Sequence, residues 1–161
     1  WLGAAKLSYA CSANYLDHLD VINLTTEQQA FLQAIPDAVF RETVRDFMVN
    51  QQFRRDYWVR GARTVNAVEQ MESMRQQRIV LTRPRAEVSL KTTGLLGEAN
   101  FAEAVYNPVL DVLADHQPKT LGQIEQAVAA KGVNLSQVIQ ATVVLAGKAG
   151  GEPRRTIAAA E

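Results

Sequence analysis

The spacing of apolar residues predicts a mainly helical protein, and the clearest helical period lies between residues 36 and 51. Phe40, Val44, Phe47, Met48 and Gln51 recur at intervals of three or four positions, which is the spacing of one face of an α-helix. We therefore expect the two phenylalanines to face the core. The opposite, solvent-facing side would carry Arg41, Glu42, Arg45 and Asp46.

Polar residues at helix starts mark further helices. Thr25 stands before an apolar stripe and has Gln28 three positions later, which is the spacing of a capping box. Pro36 would end that helix or start the next one, because proline has no backbone N–H to donate. Gly132 suits the end of a helix that begins after Thr120. Asn66 and Asn134 are the other candidate N-caps, and the helix after Asn66 would carry an inward stripe of Val68, Met71 and either Met74 or Arg75.

Short runs of alternating or β-branched residues predict strands at residues 6–13, 55–59 and 78–82. Two more strands would flank a turn at residues 94–97. In the second of these runs, alternation places Tyr57 and Val59 on one face and Trp58 with Arg60 on the other. We expect Phe53 and Tyr57 to point inward. The tail from residue 150 has no clear period and is predicted to be extended or loose.

These elements predict an α+β fold that is mainly helical, with a small mixed sheet in the N-terminal half and a winged-helix-like C-terminal half. The C-terminal half would combine a strand pair with three helices at residues 102–117, 120–132 and 134–150. The pattern changes at residues 83–85. The predicted division is therefore a first domain at residues 1–84 and a second, C-terminal domain at residues 85–161.

The composition suits a folded domain in a reducing compartment. Of the 161 residues, 47% are hydrophobic and 21% are charged, which is enough to bury a core. No apolar run reaches the roughly 18 residues of a membrane helix, and there is no signal-peptide pattern, so a cytoplasmic location is expected. Cys11 is the single cysteine and cannot form an internal disulfide. Because the first residue is Trp1 rather than methionine, we expect a piece of a longer polypeptide.

Positive charge is concentrated between residues 41 and 85. Ten arginines and five acidic residues give this segment a net charge of +5, although the whole chain has a net charge of zero. Every cation in the segment is arginine, which forms bidentate and stacked contacts better than lysine, so a recognition face is one interpretation. The other interpretation is that charges three or four positions apart on a helix pair with one another.

The centre of that segment, FRRDYWVRGAR at residues 53–63, mixes arginines with aromatic residues. Such a mixture is typical of nucleic-acid grooves and also of protein interaction hot spots. The helix after Asn134 would be the DNA reader of a winged helix, yet it contains no arginine, so nucleic acid is not the expected partner. The candidate contact residues are Arg54, Arg55, Tyr57, Trp58 and Arg60.

The sequence contains no strong catalytic, cofactor-binding or metal-binding motif. His18 and His116 lack ligand partners at metal-site spacing, and Cys11 lacks a base nearby in sequence. The glycine-containing segments match neither G-x-x-x-x-G-K-[ST] nor G-x-G-x-x-G. We therefore expect that this chain is not an enzyme by itself and holds no catalytic, cofactor or metal residue.

Residues 41–63, RETVRDFMVNQQFRRDYWVRGAR, resemble the signature segment of the methyltransferase regulatory domain family. Residues 9–25, YACSANYLDHLDVINLT, are similar to the lead-in of that family, and residues 84–114 are similar to its winged-helix-like C-terminal region. The resemblance extends over residues 7–150. In bacterial proteins, domains of this family follow a Rossmann-like, S-adenosylmethionine-dependent methyltransferase domain.

The resemblance implies a non-catalytic accessory or regulatory region of such a methyltransferase, and some relatives are protein-lysine methyltransferases. The region would pack on the catalytic domain of the same polypeptide or shape the access of a protein substrate, and a homodimer is a further alternative. S-adenosylmethionine would bind in the catalytic domain, so no donor-binding residue is assigned to this chain. The competing function is a winged-helix module that binds nucleic acid or another protein.

Overall fold

The computed structural model of the chain describes residues 2–94, 97–147 and 157–159. These residues form an α+β fold that is mainly helical, as the apolar pattern predicts. The chain divides into two compact units, one with residues 1–63 and 93–99 and the other with residues 64–92 and 100–161.

The N-terminal unit contains β1 (Leu7–Ser12), α1 (Asp20–Asn23), α2 (Thr26–Gln33), α3 (Ala38–Val49) and β2 (Asp56–Arg60). Strands β1 and β2 pair antiparallel and place Tyr9 opposite Trp58, with a bulge between Tyr9 and Cys11. Helix α2 packs on α3, and the side chains of Leu24 and Leu32 are buried. The unit therefore presents a short two-stranded ribbon and a helix pair.

From residue 64 the chain forms α4 (Ala67–Gln76), β3 (Arg78–Leu81), β4 (Lys91–Gly94), β5 (Gly97–Asn100), α5 (Glu103–Val112), β6 (Lys119–Thr120), α6 (Leu121–Val128), α7 (Leu135–Gly147) and β7 (Ile157–Ala159). Strands β4 and β5 pair with each other, as predicted, and residues 95 and 96 between them lie outside the described residues. A separate antiparallel sheet has the order β6-β3-β7. The predicted extended tail is thus a strand at β7, and residues 148–156 and 160–161 lie outside the described residues.

The C-terminal unit holds the larger apolar core. Helices α5, α6 and α7 pack on one another, and α7 also contacts β7. Their inward stripes and one residue of β7 supply side chains that are at most 1% exposed, so this unit has a continuous core of the kind that stabilises an independent domain. These side chains include Val109, Leu110, Leu113, Ile124, Val138, Leu145 and Ile157.

The two units divide the chain at a different point from the predicted boundary at residues 84 and 85. Helix α4 and strand β3 precede that boundary but belong to the C-terminal unit. Strand β3 is the central strand of the three-stranded sheet, and Arg75 of α4 contacts Glu125 of α6 at 2.9 Å. These contacts join residues far apart in the chain, so the local change of pattern at residues 83–85 does not mark them.

The predicted helix starts are confirmed by reciprocal hydrogen bonds. Thr25 accepts from the backbone N–H of Gln28, while the Gln28 side chain accepts from the Thr25 N–H. Gly132 adopts a positive φ of 76° at the end of the turn after α6, the left-handed conformation that glycine tolerates best. The other capping boxes pair Asn66 with Glu69, Thr120 with Gln123 and Asn134 with Gln137.

The stripe predicted to be buried on α4 is exposed. Val68 is 79% exposed, and Met71 and Met74 are 38% and 37% exposed. Helix α4 contacts α6 through the side that carries Arg75 instead. The helical period is therefore confirmed; Val68, Met71 and Met74 do not face the core, and the alternative stripe residue Arg75 is the one that contacts α6.

The burial of Tyr106 should make the C-terminal unit less stable at high pH. It is 7% exposed, and burial raises the pKa of its hydroxyl to about 12, from an ordinary value of 10.0. The fold therefore favours the neutral phenol, and the unfolded chain ionises first as the pH rises. This contribution is complete below pH 10 and should decline between pH 10 and pH 12, by about 2–3 kcal/mol in total.

Urea unfolding at about pH 9 and about pH 11.5 measures this decline in the free energy of unfolding. The Tyr106→Phe variant keeps the ring that stacks on Phe101 but has no ionisable hydroxyl, so its decline should be smaller. An equal decline in the two proteins would contradict the assignment to Tyr106.

No single helix in the described part of the chain is long and apolar enough to cross a membrane. The segments Leu121–Lys131 and Leu135–Gly147 meet the length and composition test only as a pair, and they are bent by 117°. Both contribute side chains to the core of the C-terminal unit.

Candidate docking surface around the α3 helix

Helix α3 is turned about its axis relative to the sequence prediction. Phe40 is 58% exposed and Phe47 is 83% exposed, whereas Arg45 is only 3% exposed. The prediction that the two phenylalanines face the core, with Arg45 on the outer side, is therefore wrong. Asp37 starts the helix by accepting a 2.7 Å hydrogen bond from the backbone N–H of Phe40, so the local start of the helix is well defined.

Arg45 turns inward because two carboxylates are available there. Its Nε donates to Asp20 Oδ1 at 3.0 Å, and its Nη1 lies 3.8 Å from Asp17 Oδ1. Ser12 Oγ holds Asp17 by donating a 2.7 Å hydrogen bond to Oδ2. The buried Nη2 atom has no hydrogen-bond partner among the described residues. A buried guanidinium costs much free energy unless it is paired, so these carboxylates fix the orientation of α3.

Arg54 connects the ribbon to the adjacent side of α3. Its Nε and Nη2 donate to Asp56 at 2.9–3.2 Å, and its Nη1 donates to both carboxylate oxygens of Asp46 at 3.1 and 3.3 Å. Nη2 also donates to Glu42 Oε2 at 3.2 Å and to the Tyr9 hydroxyl at 3.1 Å. We call Arg54, Glu42, Asp46 and Asp56 the Arg54 cluster. One cation and three carboxylates give this cluster a net charge of −2.

The environment of the cluster changes the acidity of its members. Burial lowers the pKa of Arg54, but hydrogen bonds to Asp56 and Asp46 outweigh it and raise the pKa above the ordinary value for arginine. Burial, followed by the negative charge of Glu42, raises the pKa of Tyr9. Arg54 therefore stays a cation and Tyr9 stays neutral at physiological pH.

Two aromatic rings border the cluster. The guanidinium carbon of Arg54 lies 5.6 Å from the centroid of the Tyr9 ring, within reach of a cation–π contact. Trp58 meets the same ring edge-on, with centroids 5.7 Å apart and planes at 71°. The antiparallel register places Tyr9 and Trp58 opposite each other, so pairing of β1 with β2 builds this aromatic wall.

An open cavity of about 140 Å³ lies between this wall and α3. It is smaller than the roughly 300–1,000 Å³ of typical small-molecule pockets, and it is the size of a protein side chain. A second cavity, of about 280 Å³, shares Thr43 and Asp46 with the first and continues along α3 to Phe47 and Asn50. The first cavity is lined by Tyr9, Val39, Glu42, Thr43, Asp46, Arg54, Asp56 and Trp58.

The outer side of α3 is mainly apolar and is exposed to solvent. Val39, Phe40, Thr43 and Phe47 occupy one side of the helix, and we call these four residues the α3 face. Val39 is 50% exposed, and the loop after α3 adds Phe53, which is 88% exposed. Glu42 and Asp46 follow one border of this face. An exposed apolar surface bordered by negative charge is typical of interaction sites, so we take this face as the candidate site of the N-terminal unit.

The structure separates the five residues predicted as contacts. Arg54 is turned into its carboxylates, and Trp58 is half-buried in the aromatic wall. Arg55 and Tyr57 are exposed, and Arg60 donates to the backbone oxygen of Ala5 at 3.0 Å. Their role in contacting a partner stays a prediction. The expectation that Phe53 and Tyr57 point inward is wrong, since they are 88% and 60% exposed.

Sequence reasoning missed the acidic half of the site. Glu42 and Asp46 are four positions apart on α3, a spacing that puts both on one side of the helix, and this signal was available in the sequence. That they meet Arg54 was not available, because the contact depends on how β2 returns beside α3. Tyr9 was missed for the same reason, since it lies 45 residues from Arg54.

The arginines of the positive segment are largely paired within the chain. Arg45 and Arg54 pair with carboxylates, and Arg41 donates to the backbone oxygen of Ile35 at 3.1 Å. Farther along, Arg75 pairs with Glu125, and Arg85 contacts Asp111 at 3.2 Å. Four of these five arginines pair with carboxylates and Arg41 with a backbone oxygen, but none of the pairs described joins charges three or four positions apart on one helix, as the pairing interpretation expected.

The histidines and the cysteine do not gather into a site. His18 Nε2 lies 3.0 Å from the backbone oxygen of Ser12, and His116 Nδ1 lies 2.8 Å from that of Leu81. Cys11 is a half-buried free thiol. Within residues 2–94, 97–147 and 157–159, no group of three or more histidine, cysteine, aspartate or glutamate side chains could hold a metal ion.

The exposure of Phe47 and Phe53 predicts that neither contributes to the stability of the isolated chain. The double variant Phe47→Ser and Phe53→Ser should change the free energy of unfolding by no more than about 0.5 kcal/mol, because both rings already contact water. The matched control is Leu32→Ala, at a site that is 3% exposed, and it should cost about 2–5 kcal/mol. Urea unfolding compares them, and a loss in the double variant near that of the control would contradict the exposed placement.

Comparison with known proteins gives a family match for the N-terminal part of the chain, and a relative and a solved structure that resemble most of it. Residues 1–60 match the profile of a family described as predicted methyltransferase regulatory domain. An uncharacterized protein of Synechocystis is 36% identical over 146 residues, which is 91% of this chain and 29% of that protein. The solved structure of PKMT2 from Rickettsia typhi is similar with a TM-score of 0.57 at 19% identity, over 99% of this chain and 34% of that one. The chain thus spans about a third or less of either protein.

Proposed function

Because residues 1–60 belong to the predicted methyltransferase regulatory domain family, we propose that this chain is a non-catalytic accessory region of an S-adenosylmethionine-dependent methyltransferase. It packs on the catalytic domain of the same polypeptide through the α3 face and thereby shapes the access of a protein substrate. The observation that carries this proposal is the exposed apolar surface of α3. The similarity in fold to PKMT2, a protein-lysine methyltransferase, supports it.

The size of the exposed side chains supports a docking role. Burying one phenylalanine or valine side chain contributes about 1.5–3 kcal/mol, so Phe40, Phe47 and Phe53 together would stabilise an interface strongly. Large aromatic anchors are the residues that dominate binding energy at such interfaces. On the opposite face of the ribbon, Tyr57 and Val59 are exposed as well and extend the candidate contact area beyond α3.

S-adenosylmethionine binds, in this proposal, to the catalytic domain and not to the accessory region. Titration of the isolated chain with S-adenosylmethionine in a calorimeter should therefore give no binding heat. Binding with a micromolar dissociation constant would overturn the non-catalytic assignment.

Packing through the α3 face is tested by the same phenylalanine pair in the longer polypeptide. The Phe47→Ser and Phe53→Ser double variant should reduce methyl transfer by the full-length protein about tenfold or more, since anchor residues carry most of an interface's energy. Its effect on the isolated chain should be negligible. Unchanged activity of the full-length variant would rule out this face as the contact.

The C-terminal unit is, in this proposal, a winged-helix-like module with an architectural role. The succession of α5, α6 and α7 beside the sheet β6-β3-β7, with a tight turn at Gly132, supports this assignment. A nucleic-acid-binding function is disfavoured, because α7 has no lysine or arginine and Arg54 is already paired with carboxylates. Filter binding of a DNA duplex at low salt should show no retention. Retention that falls steeply as the salt concentration rises would favour the nucleic-acid alternative.

A further inference from the structure

We propose that the surface covering the α3 face anchors itself there with a cationic side chain, arginine or lysine, that enters the cavity between Trp58 and Asp46. This inference rests on the proposed packing of the catalytic domain on α3 and names the chemistry of the covering segment. That segment of the catalytic domain is apolar where it meets Phe40 and Phe47, and it carries a positive charge beside Glu42 and Asp46.

The Arg54 cluster has more negative than positive charge. Three carboxylates converge on one guanidinium, so the internal cation leaves a net charge of −2. The side chains of Glu42, Asp46 and Asp56 are only 16–27% exposed, which limits screening by water. A partner that buries these carboxylates without bringing a positive charge would leave net negative charge in a desolvated interface, which is strongly unfavourable.

The shape and lining of the cavity suit a long cationic side chain. Its volume of about 140 Å³ suits one long side chain. Tyr9 and Trp58 supply aromatic walls, and the carboxylate of Asp46 lines the same cavity, so an alkyl stem and a cationic head would both find matching surroundings. An anionic partner group such as a phosphate would meet like charge there.

The cavity adjoins the α3 face through shared lining residues. Thr43 and Asp46 line both this cavity and the one that continues to Phe47, so a single segment lying along α3 would reach the aromatic surface and the acidic cavity together. An amphipathic helix in a groove has this combination of apolar anchors and one charged residue. The observations therefore favour a basic amphipathic segment over a purely apolar one.

A pair of model peptides tests the cationic anchor. The chain carries Trp1→Phe, which leaves Trp58 as its single tryptophan and as a fluorescent reporter inside the cavity. The probe is a capped 15-residue helical peptide with leucines at positions i, i+3, i+4 and i+7 and one central arginine, and the matched probe has glutamine in place of that arginine. We expect the arginine peptide to bind about tenfold more tightly, in keeping with the coupling energies of close charge pairs.

Variants of the cavity residues test whether the preference for the arginine peptide depends on their negative charge. Combining Glu42→Gln with Asp46→Asn should reduce the preference for the arginine peptide to within about twofold, because the complementary charge is lost. The matched control is Glu27→Gln on α2, an exposed carboxylate outside the cavity, and it should leave the preference unchanged. Equal affinity of the two peptides for the unaltered chain, or no binding of either, would overturn the cationic anchor.

Hydrogen exchange in the full-length polypeptide separates this inference from the proposed function. If the catalytic domain covers α3, backbone amides of α3 should exchange at least about tenfold more slowly there than in the isolated chain. Slower exchange that the Glu42→Gln and Asp46→Asn pair leaves unchanged would overturn the cationic anchor and keep the proposed packing. Equal exchange in the two proteins would overturn both and would assign the face to another partner, such as the protein substrate.

Discussion

Replacing Arg45 with alanine should lower the free energy of unfolding of the N-terminal unit by about 3–5 kcal/mol, the range for breaking a buried ion pair from one side. Arg45 is 3% exposed and contacts Asp20 and Asp17 at 3.0 and 3.8 Å. Alanine removes the cation and leaves a space beneath α3. Because the Asp20 side chain is 44% exposed, water can rehydrate it, so the loss should lie near the lower end of the range.

In the Trp1→Phe background, urea unfolding followed by Trp58 fluorescence measures this loss, since Trp58 belongs to the same unit. Arg45→Met keeps most of the aliphatic volume but not the charge, so it should cost less than Arg45→Ala and separates packing from ion pairing. Arg55→Ala removes an exposed arginine and should change the stability by no more than about 0.5 kcal/mol. A loss for Arg45→Ala as small as that for Arg55→Ala would contradict the buried ion pair.

The burial of Arg45 also explains why the sequence predicts the existence of α3 but not its orientation. The stripe of Phe40, Val44 and Phe47 has a helical period, and Arg41 with Arg45 forms a second stripe at helical spacing. Hydrophobicity alone selects the first stripe as the inward one. The second is inward because Asp20, 25 residues earlier, pairs with Arg45, and no local pattern contains that contact.

Local signals were reliable wherever the stabilising contacts were local. The capping box of Thr25 and Gln28 joins residues three positions apart, so it was readable from sequence, and so was the glycine at the end of the turn after α6. Strand β7 was not predicted as a sheet partner, because its pairing of Ile157 with Leu81 spans most of the C-terminal unit. The candidate site was half predicted for the same reason: Arg54 and Trp58 stood out, but the carboxylates that hold Arg54 come from another element.

We also expect a large loss of stability when Arg54 is removed from its cluster. Arg54→Ala should lower the free energy of unfolding by about 2–3 kcal/mol, because hydrogen bonds to charged groups contribute more than neutral ones and three carboxylates would lose their shared cation. Arg54→Lys keeps the charge but not the planar fork that reaches Asp46 and Asp56 together, so an intermediate loss is expected. Arg60→Ala is the matched control, since Arg60 is exposed and donates a 3.0 Å hydrogen bond to the backbone oxygen of Ala5 rather than to a carboxylate.

Ionic strength gives this prediction a second readout. Without Arg54, repulsion between Glu42, Asp46 and Asp56 should make the variant gain stability as sodium chloride is added, because salt screens like charges. The unaltered chain, whose cluster is held by direct ion pairs, should gain less. A loss for Arg54→Ala no larger than that for Arg60→Ala, with the same salt response in both, would contradict the role of Arg54 as the link between the ribbon and α3.

Removal of the internal cation also changes the cavity charge from −2 to −3, so a folded Arg54→Ala chain should bind the arginine peptide more tightly than the unaltered chain does.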